Sequence, residues 1–112
     1  MITIRIAKEF STTPGGRFKS MGPSSGEEFR AQLIKALKAN DYVKVILDGT
    51  EGYGSSFLEE AFGGLIRLQE FPPHDVLSRL AIVAETPDYV TYANEAMYYM
   101  VDAASQVDNK GN

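Results

Sequence analysis

The stretch from Val43 to Leu65 constrains the fold more than any other part of the chain, because it joins a strand pattern to a helix pattern. Val43 to Leu47 is an apolar run that predicts a short buried strand. Three glycines between residues 49 and 54 loosen the backbone, and the pair Ser55 and Ser56 opens an apolar helix pattern. A strand that leads through a glycine turn into such a helix commonly displays a hydroxyl or binds an anion.

Two further segments predict strands in the core of the same domain. Residues 2–6 alternate apolar and polar side chains, and residues 80–84 form an apolar run. Residues 14–16, Pro-Gly-Gly, form a turn signal. The segment from Arg17 to Ser20 that follows predicts a short strand that returns as an antiparallel hairpin.

Helix patterns follow each core strand. The spacing of Ser24 and Glu27, or of Ser25 and Glu28, is that of a capping box and predicts a first helix that ends near residue 40. A second helix is predicted over residues 55–69, a short helical turn over 74–79, and a last helix over 88–104 after Thr86 and a proline.

This alternation predicts an α/β fold with a small, mostly parallel sheet of about four strands. The N-terminal hairpin would be antiparallel, and three to four helices would pack on the sheet. We expect one domain over residues 1–106 and a flexible polar tail over residues 107–112. The strand over residues 43–47 is expected to be central, since its near-continuous apolar character suits a strand covered on both faces.

Composition excludes several classes of protein. The 112 residues carry a net charge of −4, and their eleven Lys and Arg are scattered, so we expect no nucleic-acid partner. There is no cysteine, which excludes disulfides and thiolate metal sites. No apolar run approaches the roughly 20 residues that span a bilayer. The first residues lack the pattern of a signal peptide, so we expect a cytoplasmic protein without a membrane partner.

Ser55 and Ser56 have two interpretations. In the first, Ser56 caps the helix, Glu59 completes a capping box, and Ser55 merely precedes it. In the second, Ser55 or Ser56 accepts a phosphate, which would lie near the free N–H groups and positive dipole end of the helix. Glu59 and Glu60, expected to face water, would oppose that charge and could turn one added group into a surface switch.

The glycine-rich loop over residues 49–56 is an alternative site for a small anion or nucleotide. It matches neither the phosphate-loop pattern nor Gly-x-Gly-x-x-Gly, and Asp48 and Glu51 would repel phosphates. These acids, with Glu59 and Glu60, are interpreted as solvated side chains, so no metal and no cofactor are predicted. Arg17 is either a solvated cation or a contact to an acid or a phosphoserine at the serine loop.

No set of residues predicts catalysis. The sequence around Ser55 lacks Gly-x-Ser-x-Gly, and the one histidine, His74, stands beside Asp75 after two prolines. We therefore expect no enzyme activity and no catalytic residue. Four tyrosines at 89, 92, 98 and 99 are interpreted as cover at the edge of the core, or as a docking surface.

Several motifs resemble a bacterial family of small STAS-like domains of unknown function. The resemblance extends from about residue 2 to residue 83. One departure is Met21, where the family pattern has an aspartate. The resembling motifs are Phe10, Pro14-Gly15-Gly16-Arg17, Gly22-Pro23, Ser25-Gly26-Glu27-Glu28-Phe29-Arg30, Leu47-Asp48-Gly49-Thr50 and Gly52-Tyr53-Gly54-Ser55-Ser56-Phe57-Leu58-Glu59-Glu60-Ala61-Phe62-Gly63-Gly64-Leu65.

More distantly, the strand, loop and serine pair look like the STAS domains of anti-sigma-factor antagonists. There the motif is Asp-Ser-Ser-Gly, and its first serine is phosphorylated by a histidine-kinase-like ATPase. By that resemblance Ser55 would be the acceptor, although Gly54 replaces the aspartate and Phe57 the final glycine.

The resemblance implies a non-catalytic regulatory module that binds such an ATPase. Its oligomeric state stays open. Arg17 would support the binding loop, whose predicted residues are Asp48, Gly52, Tyr53, Gly54, Ser55, Ser56, Glu59 and Glu60.

Overall fold

The computed structural model describes the backbone of residues 1–110 and the side chains of residues 1–107. Three strands alternate with helices along the chain. They are β1 (Ile2–Arg5), β2 (Val43–Ile46) and β3 (Leu80–Val83). The α-helices are α1 (Ile6–Glu9), α2 (Gly26–Ala39), α3 (residues 55–67), α4 (Pro73–Arg79) and α5 (Val90–Lys110), and short 3-10 helices span Lys19–Met21 and Pro87–Tyr89. The middle of α3, Glu59–Gly63, is wound as a π-helix between the α-helical segments Ser55–Leu58 and Gly64–Arg67.

The three strands form one parallel sheet in the order β1-β2-β3. Val43 lies opposite Ile2 on one side and Leu80 on the other. The α/β class and the central position of β2 are therefore confirmed.

The predicted antiparallel hairpin is wrong, and the sheet of residues 1–110 has three parallel strands rather than about four. The start of the segment from Arg17 to Ser20 instead supplies hydrogen-bond acceptors to the first turn of α2. The carbonyl of Gly16 accepts the N–H of Gly26 (2.9 Å), and that of Arg17 accepts the N–H of Glu27 (3.0 Å). With only Phe18 to bury, and Phe18 left exposed, the segment gains more from capping a helix than from pairing with β1.

The helices α2, α3 and α5 contact one another in that order and form one layer over the sheet. Right-handed connections that advance in one direction across a parallel sheet place their helices on the same face. The core lies between the two layers. Its largest fully buried side chains are Phe29, Phe57, Phe62, Ile6, Leu33, Leu37, Leu47, Leu58, Leu65, Ile66 and Met100.

Helix boundaries agree in part with the sequence patterns. Ser25, rather than Ser24, caps α2 and accepts the N–H of Glu28 (3.2 Å). The last helix continues to Lys110, so residues 107–110 of the predicted tail are helical, and residues 111–112 lie outside the described residues. Across the described part of the chain, no helix combines the length and apolar character that a membrane span requires.

Candidate functional site

Asp48, at the carboxyl end of β2, holds the turn that follows β3. Its two carboxylate oxygens accept the backbone N–H groups of Glu85 (2.8 Å) and Thr86 (2.8 Å) and the hydroxyl of Thr86 (2.6 Å). Burial alone would raise the pKa of Asp48, but these hydrogen bonds outweigh it and the pKa is lowered. Asp48 therefore has a structural role, since it fixes the turn at Glu85 and Thr86. The Thr86 hydroxyl donates to Asp48 and does not cap the helix that follows.

Tyr53 anchors the middle of the loop from inside the core. Its hydroxyl donates to the backbone carbonyl of Leu47 (2.6 Å), and its ring centroid lies 5.7 Å from that of Phe57 and 5.3 Å from that of Tyr92. Burial of the phenol raises the pKa of Tyr53. The side chain is therefore unavailable to a ligand or a partner.

Tyrosines of the last helical segment cover the same loop. Gly52 has φ +109°, and a Cβ there would lie 2.8 Å from the hydroxyl of Tyr92, so the position requires glycine. The hydroxyl of Tyr89 donates to the carbonyl of Thr50. Tyr89 and Tyr92 thus act as cover for the loop, while Tyr98 is exposed.

Ser55 and Ser56 are the first two residues of α3, and both are exposed. The residue in the N-cap position is Gly54, with extended backbone angles, and no side chain caps the helix. The prediction that Ser56 is the cap is wrong, because the helix begins two residues earlier than a Ser56 cap requires. The hydroxyls of both serines are therefore not engaged as caps.

The first turn of α3, which carries Ser55, contacts α5. On α5, the hydroxyl of Tyr99 donates to the carboxylate of Glu95 (2.8 Å). The Ser55 hydroxyl lowers the pKa of the Tyr99 phenol, but the hydrogen bond with Glu95, burial and nearby carboxylate charge together outweigh that effect, so the pKa of Tyr99 is raised overall.

Glu59 and Glu60 do not face water as predicted. Arg17 Nη1 lies 2.6 Å from Glu59 Oε1 and 3.1 Å from Glu60 Oε1. Arg67 pairs with Glu59, and Arg30 pairs with Glu60, which is only 9% exposed. A buried carboxylate needs such partners, and Arg17 and Arg30, from separate parts of the chain, provide them for Glu60.

These ion pairs explain why the pKa of Glu59 is lowered and why Glu59 does not complete a capping box. The hydrogen bond from Arg67 is the largest cause that lowers the pKa of Glu59, and burial opposes it less strongly. Arg17 contacts the acids Glu59 and Glu60, which agrees with the prediction that it contacts an acid and not with the prediction of a solvated cation. Sequence reasoning missed Arg30 and Arg67, and the available signal was the glycine pair at 63 and 64, which admits large side chains against α3.

The glycine-rich loop uses much of its own backbone internally. The N–H of Glu51 donates to the carbonyl of Thr12 (2.8 Å), and that of Gly52 donates to the hydroxyl of Thr50 (3.2 Å). The N–H groups of the first turn of α3 have no intrahelical acceptor. The backbone N–H groups that helix geometry leaves free near this loop are therefore those of the first turn of α3, which begins at Ser55 and Ser56.

The remaining candidate residues are dispersed. Asp48 and Glu59 are engaged by different partners, and among the described residues no three acids or histidines group as a metal site. Asp75 accepts from Arg79 Nη1 (2.8 Å), and His74 is exposed. The structure brings together Ser55, Ser56, Glu59, Glu60 and Arg17, and it places Asp48 and Tyr53 in structural roles.

Comparison with known families gives one match. A model described as a STAS-like domain of unknown function (DUF4325) matches residues 25–90, which include β2, the loop, the serine pair and β3. Neither the curated proteins nor the solved structures gave a match. Because the matched residues make up more than half of the chain, this protein belongs to the STAS-like domain family of unknown function.

Proposed function

We propose that this domain is a non-catalytic regulatory module that binds a partner protein through a serine surface, defined as Gly54, Ser55, Ser56 and Glu59. The observation that carries the proposal is the exposure of two adjacent hydroxyls, free of capping bonds, at the start of a helix. They lie one turn before an acid that is already held by Arg17 and Arg67. A negative charge added at this surface would therefore lie near the ion pairs of Glu59 with Arg17 and Arg67, which can rearrange.

Phosphorylation of Ser55 or Ser56 is the proposed control. A phosphate adds nearly two negative charges and three strong acceptor oxygens at the positive end of α3. It would repel Glu59 and compete with it for the guanidinium groups of Arg17 and Arg67, which prefer bidentate anions. The result would be a redistribution of ion pairs at the surface, with the buried core of α3 unchanged.

The partner proposed from the family resemblance is a histidine-kinase-like ATPase. Two departures from the antagonist motif bear on this. Phe57 is fully buried and stacks near Phe29 (ring centroids 6.2 Å apart), so it replaces the final glycine without altering the exposed surface. Gly54 is exposed and removes one carboxylate from that surface, so the partner contact would depend more on the two hydroxyls and on Glu59.

A non-enzymatic role is supported by how the acids are used. Asp48 holds a turn, and Glu60 is buried among arginines, so neither presents a free carboxylate for general acid or base work. The alternative, a small anion or nucleotide bound at the start of α3, is favoured only by the free backbone N–H groups there. A ligand at 100 times its dissociation constant would add about 2.7 kcal/mol to the free energy of unfolding, and thermal melts with phosphate and nucleotides detect such a shift.

The decisive experiment is capture of partners from the native host with four baits: wild type, Ser55→Asp, Ser56→Asp and the control Ser78→Asp. Ser78 is an exposed serine on α4, away from the serine surface. We expect an ATPase to be recovered by wild type and by the control but not by one of the two test baits. We also expect a mass increase of about 80 Da, one phosphate, on part of the recovered wild type, located at Ser55 or Ser56. Equal recovery by all four baits, with no added mass, would overturn the proposal.

A further inference from the structure

β3 is a four-residue edge strand whose own sequence lacks the charges and prolines that discourage pairing. It follows β2 in the sheet order and is the last strand of the described residues. Its sequence, Leu80-Ala81-Ile82-Val83, and the Ala84 that follows it contain no charged residue, proline or glycine. Natural proteins place such residues on exposed edges to prevent association, and an edge without them favours pairing with another chain.

The backbone groups on the open side of β3 follow from its pairing with β2. The carbonyl of Val83 accepts the N–H of Leu47 (3.1 Å), so Val83 and Ala81 direct their backbone groups to β2. Because successive residues alternate, Leu80, Ile82 and Ala84 direct theirs away from the sheet. The N–H of Leu80 is bonded to the carbonyl of Val76. The outward groups that remain free are thus the carbonyl of Leu80 and both groups of Ile82 and of Ala84.

This set of groups is complementary to itself. If a second copy of β3 pairs antiparallel with its twofold axis at Ile82, each Ile82 N–H meets the carbonyl of the other Ile82. Each Ala84 N–H likewise meets the carbonyl of Leu80 in the other copy. Four hydrogen bonds then satisfy all of these groups except the carbonyl of Ala84, whose counterpart, the N–H of Leu80, is already bonded to Val76.

The opposite edge of the sheet, formed by β1, is protected in a way that the edge of β3 is not. The outward N–H of Arg5 in β1 donates to the carboxylate of Glu9 (2.7 Å), and the chain turns into α1 at Ile6. A charged side chain and a helix therefore end the exposed edge of β1. The edge formed by β1 is thus protected, whereas the edge formed by β3 is open.

An apolar flank of α5 lies on the same side as the open edge. Val90, Met97 and Val101 are 45%, 39% and 52% exposed, and at 3.6 residues per turn they fall within about 40° of one another around the helix. Tyr92, whose hydroxyl lies against Gly52 in the loop before α3, is on the opposite side of α5. Because α5 contacts both α3 and β3, the last strand of the sheet, we place the apolar flank, which is turned away from α3, toward the open edge.

This flank carries no charge from residue 90 to residue 105, since its other members are Ala93, Asn94, Ala104 and Ser105. The chain has a net charge of −4, so two copies repel each other at most of their surface. A twofold contact through β3 and this flank brings no like charges together and covers exposed apolar side chains. The occupant that the surface fits is therefore a second copy.

We infer that the domain forms a twofold dimer in which the two β3 strands pair antiparallel, centred on Ile82, and the apolar flanks of the two α5 helices pack above them. The sheet then becomes six-stranded, in the order β1-β2-β3-β3-β2-β1. This inference does not depend on the proposed role of Ser55 or Ser56.

Engineered cysteines test the register, and the absence of natural cysteine makes the result unambiguous. In the dimer, Ala81 of one copy faces Val83 of the other as a non-hydrogen-bonded pair with Cα atoms about 4.5 Å apart, within disulfide range. We expect the double variant Ala81→Cys/Val83→Cys to become a covalent dimer on mild oxidation. Each single variant is the control, because its cysteine lies about 8 Å from its own copy, two residues out of register, and stays unlinked.

Analytical ultracentrifugation of the unmodified chain provides the second measurement. We expect a mass twice that of the chain, and Met97→Glu should weaken the dimer by about tenfold or more, because it buries a charge in an apolar contact. Thr91→Glu adds the same charge about 100° away from the flank centre and should leave the dimer intact, and circular dichroism confirms that each variant is folded. A wild type that stays monomeric at every concentration, or a dimer in which the double-cysteine variant fails to cross-link and Met97→Glu has no effect, would overturn the inference.

Discussion

Arg30 contacts Glu60 at two places, its side-chain carboxylate and its backbone carbonyl, the latter at 3.2 Å from Nη1. Both side chains are 12% exposed. The guanidinium lies against the backbone of α3 at Gly64, where a Cβ would be 2.7 Å from Nη1. A salt bridge between two helices thus determines which residue the second helix can carry at position 64.

Gly64→Ala should destabilise the domain although alanine is the better helix former. The gain in helix propensity is about 1 kcal/mol, but the methyl group displaces the guanidinium of Arg30 and weakens its bonds to a buried carboxylate. Gly63→Ala is the matched control, because a Cβ there meets Glu59 and Arg67, whose side chains are more exposed and can move. We expect Gly64→Ala to be less stable than Gly63→Ala by about 1 kcal/mol or more, measured by urea unfolding. Equal stabilities would contradict this account of the glycine pair.

Asp48→Asn should loosen the turn between β3 and α5. An amide keeps one acceptor oxygen, so it cannot accept the N–H and the hydroxyl of Thr86 as well as the N–H of Glu85. Hydrogen bonds to a carboxylate are stronger than neutral ones, and for this half-exposed group we expect a loss of about 1–2 kcal/mol in the free energy of unfolding. Asp88→Asn removes an exposed carboxylate nearby and should change stability by less than about 0.5 kcal/mol. Denaturant unfolding of both variants at pH 7 distinguishes the two outcomes.

The lowered pKa values of Asp48 and Glu59 predict a loss of stability in acid. A carboxylate whose pKa is lower in the folded state binds fewer protons there than in the unfolded chain. Its contribution is complete above the ordinary carboxyl pKa, about 4, and disappears as the pH falls through the lowered folded value. The double variant Asp48→Asn/Glu59→Gln should therefore show a shallower decline between pH 5 and pH 2 than wild type. Parallel curves would show that these two groups do not carry the acid sensitivity.

Sequence patterns located the elements whose signals are repeated along the chain. The apolar run at residues 43–47 predicted the central strand β2, and the two serine–glutamate spacings at residues 24–28 located the start of α2 to within one residue. The segment at Arg17 failed because its carbonyls cap α2 across a loop, and this long-range bond leaves no periodicity in the sequence. Gly54, Ser55 and Ser56 are all acceptable N-cap residues, so composition could not decide which one adopts the extended conformation.

The arrangement at Glu59 and Glu60 was beyond sequence reasoning for a related reason. A helical pattern places both acids on a polar face, and only partners from distant segments make burial of Glu60 tolerable. Those partners, Arg17 and Arg30, precede it by 43 and 30 residues. The sequence therefore identified these two acids as neighbours of the serine pair, while their charge network required the structure.

Tyr53→Phe should lower the free energy of unfolding by more than the loss of a single hydroxyl on the surface would. The hydroxyl is the donor to the carbonyl of Leu47 at the buried end of β2, and its removal leaves that carbonyl without this partner in the core. Leaving a buried acceptor unsatisfied costs about 1–3 kcal/mol. Tyr99→Phe, which removes a half-exposed hydroxyl bonded to Glu95, is the matched control and should cost less than about 0.5 kcal/mol. Urea unfolding of the two variants should separate them clearly, and similar losses would mean that Tyr53 is not the anchor of the loop.

Ser55→Asp should leave the domain at least as stable as wild type, which is what a surface switch requires. The first turn of α3 has free N–H groups and the positive end of the helix dipole, so a carboxylate there is worth about 0.3–1 kcal/mol at low salt. Repulsion from Glu59, four residues on, reduces this gain, but Arg17 and Arg67 already hold that acid and limit the reduction. Ser55→Lys has the opposite charge and should be less stable than Ser55→Asp, with a difference that shrinks in high salt because exposed charges are screened. Urea unfolding at low and high ionic strength measures both effects. If Ser55→Asp were instead strongly destabilised, loss of partner binding by that variant would report unfolding rather than a change of charge at the serine surface.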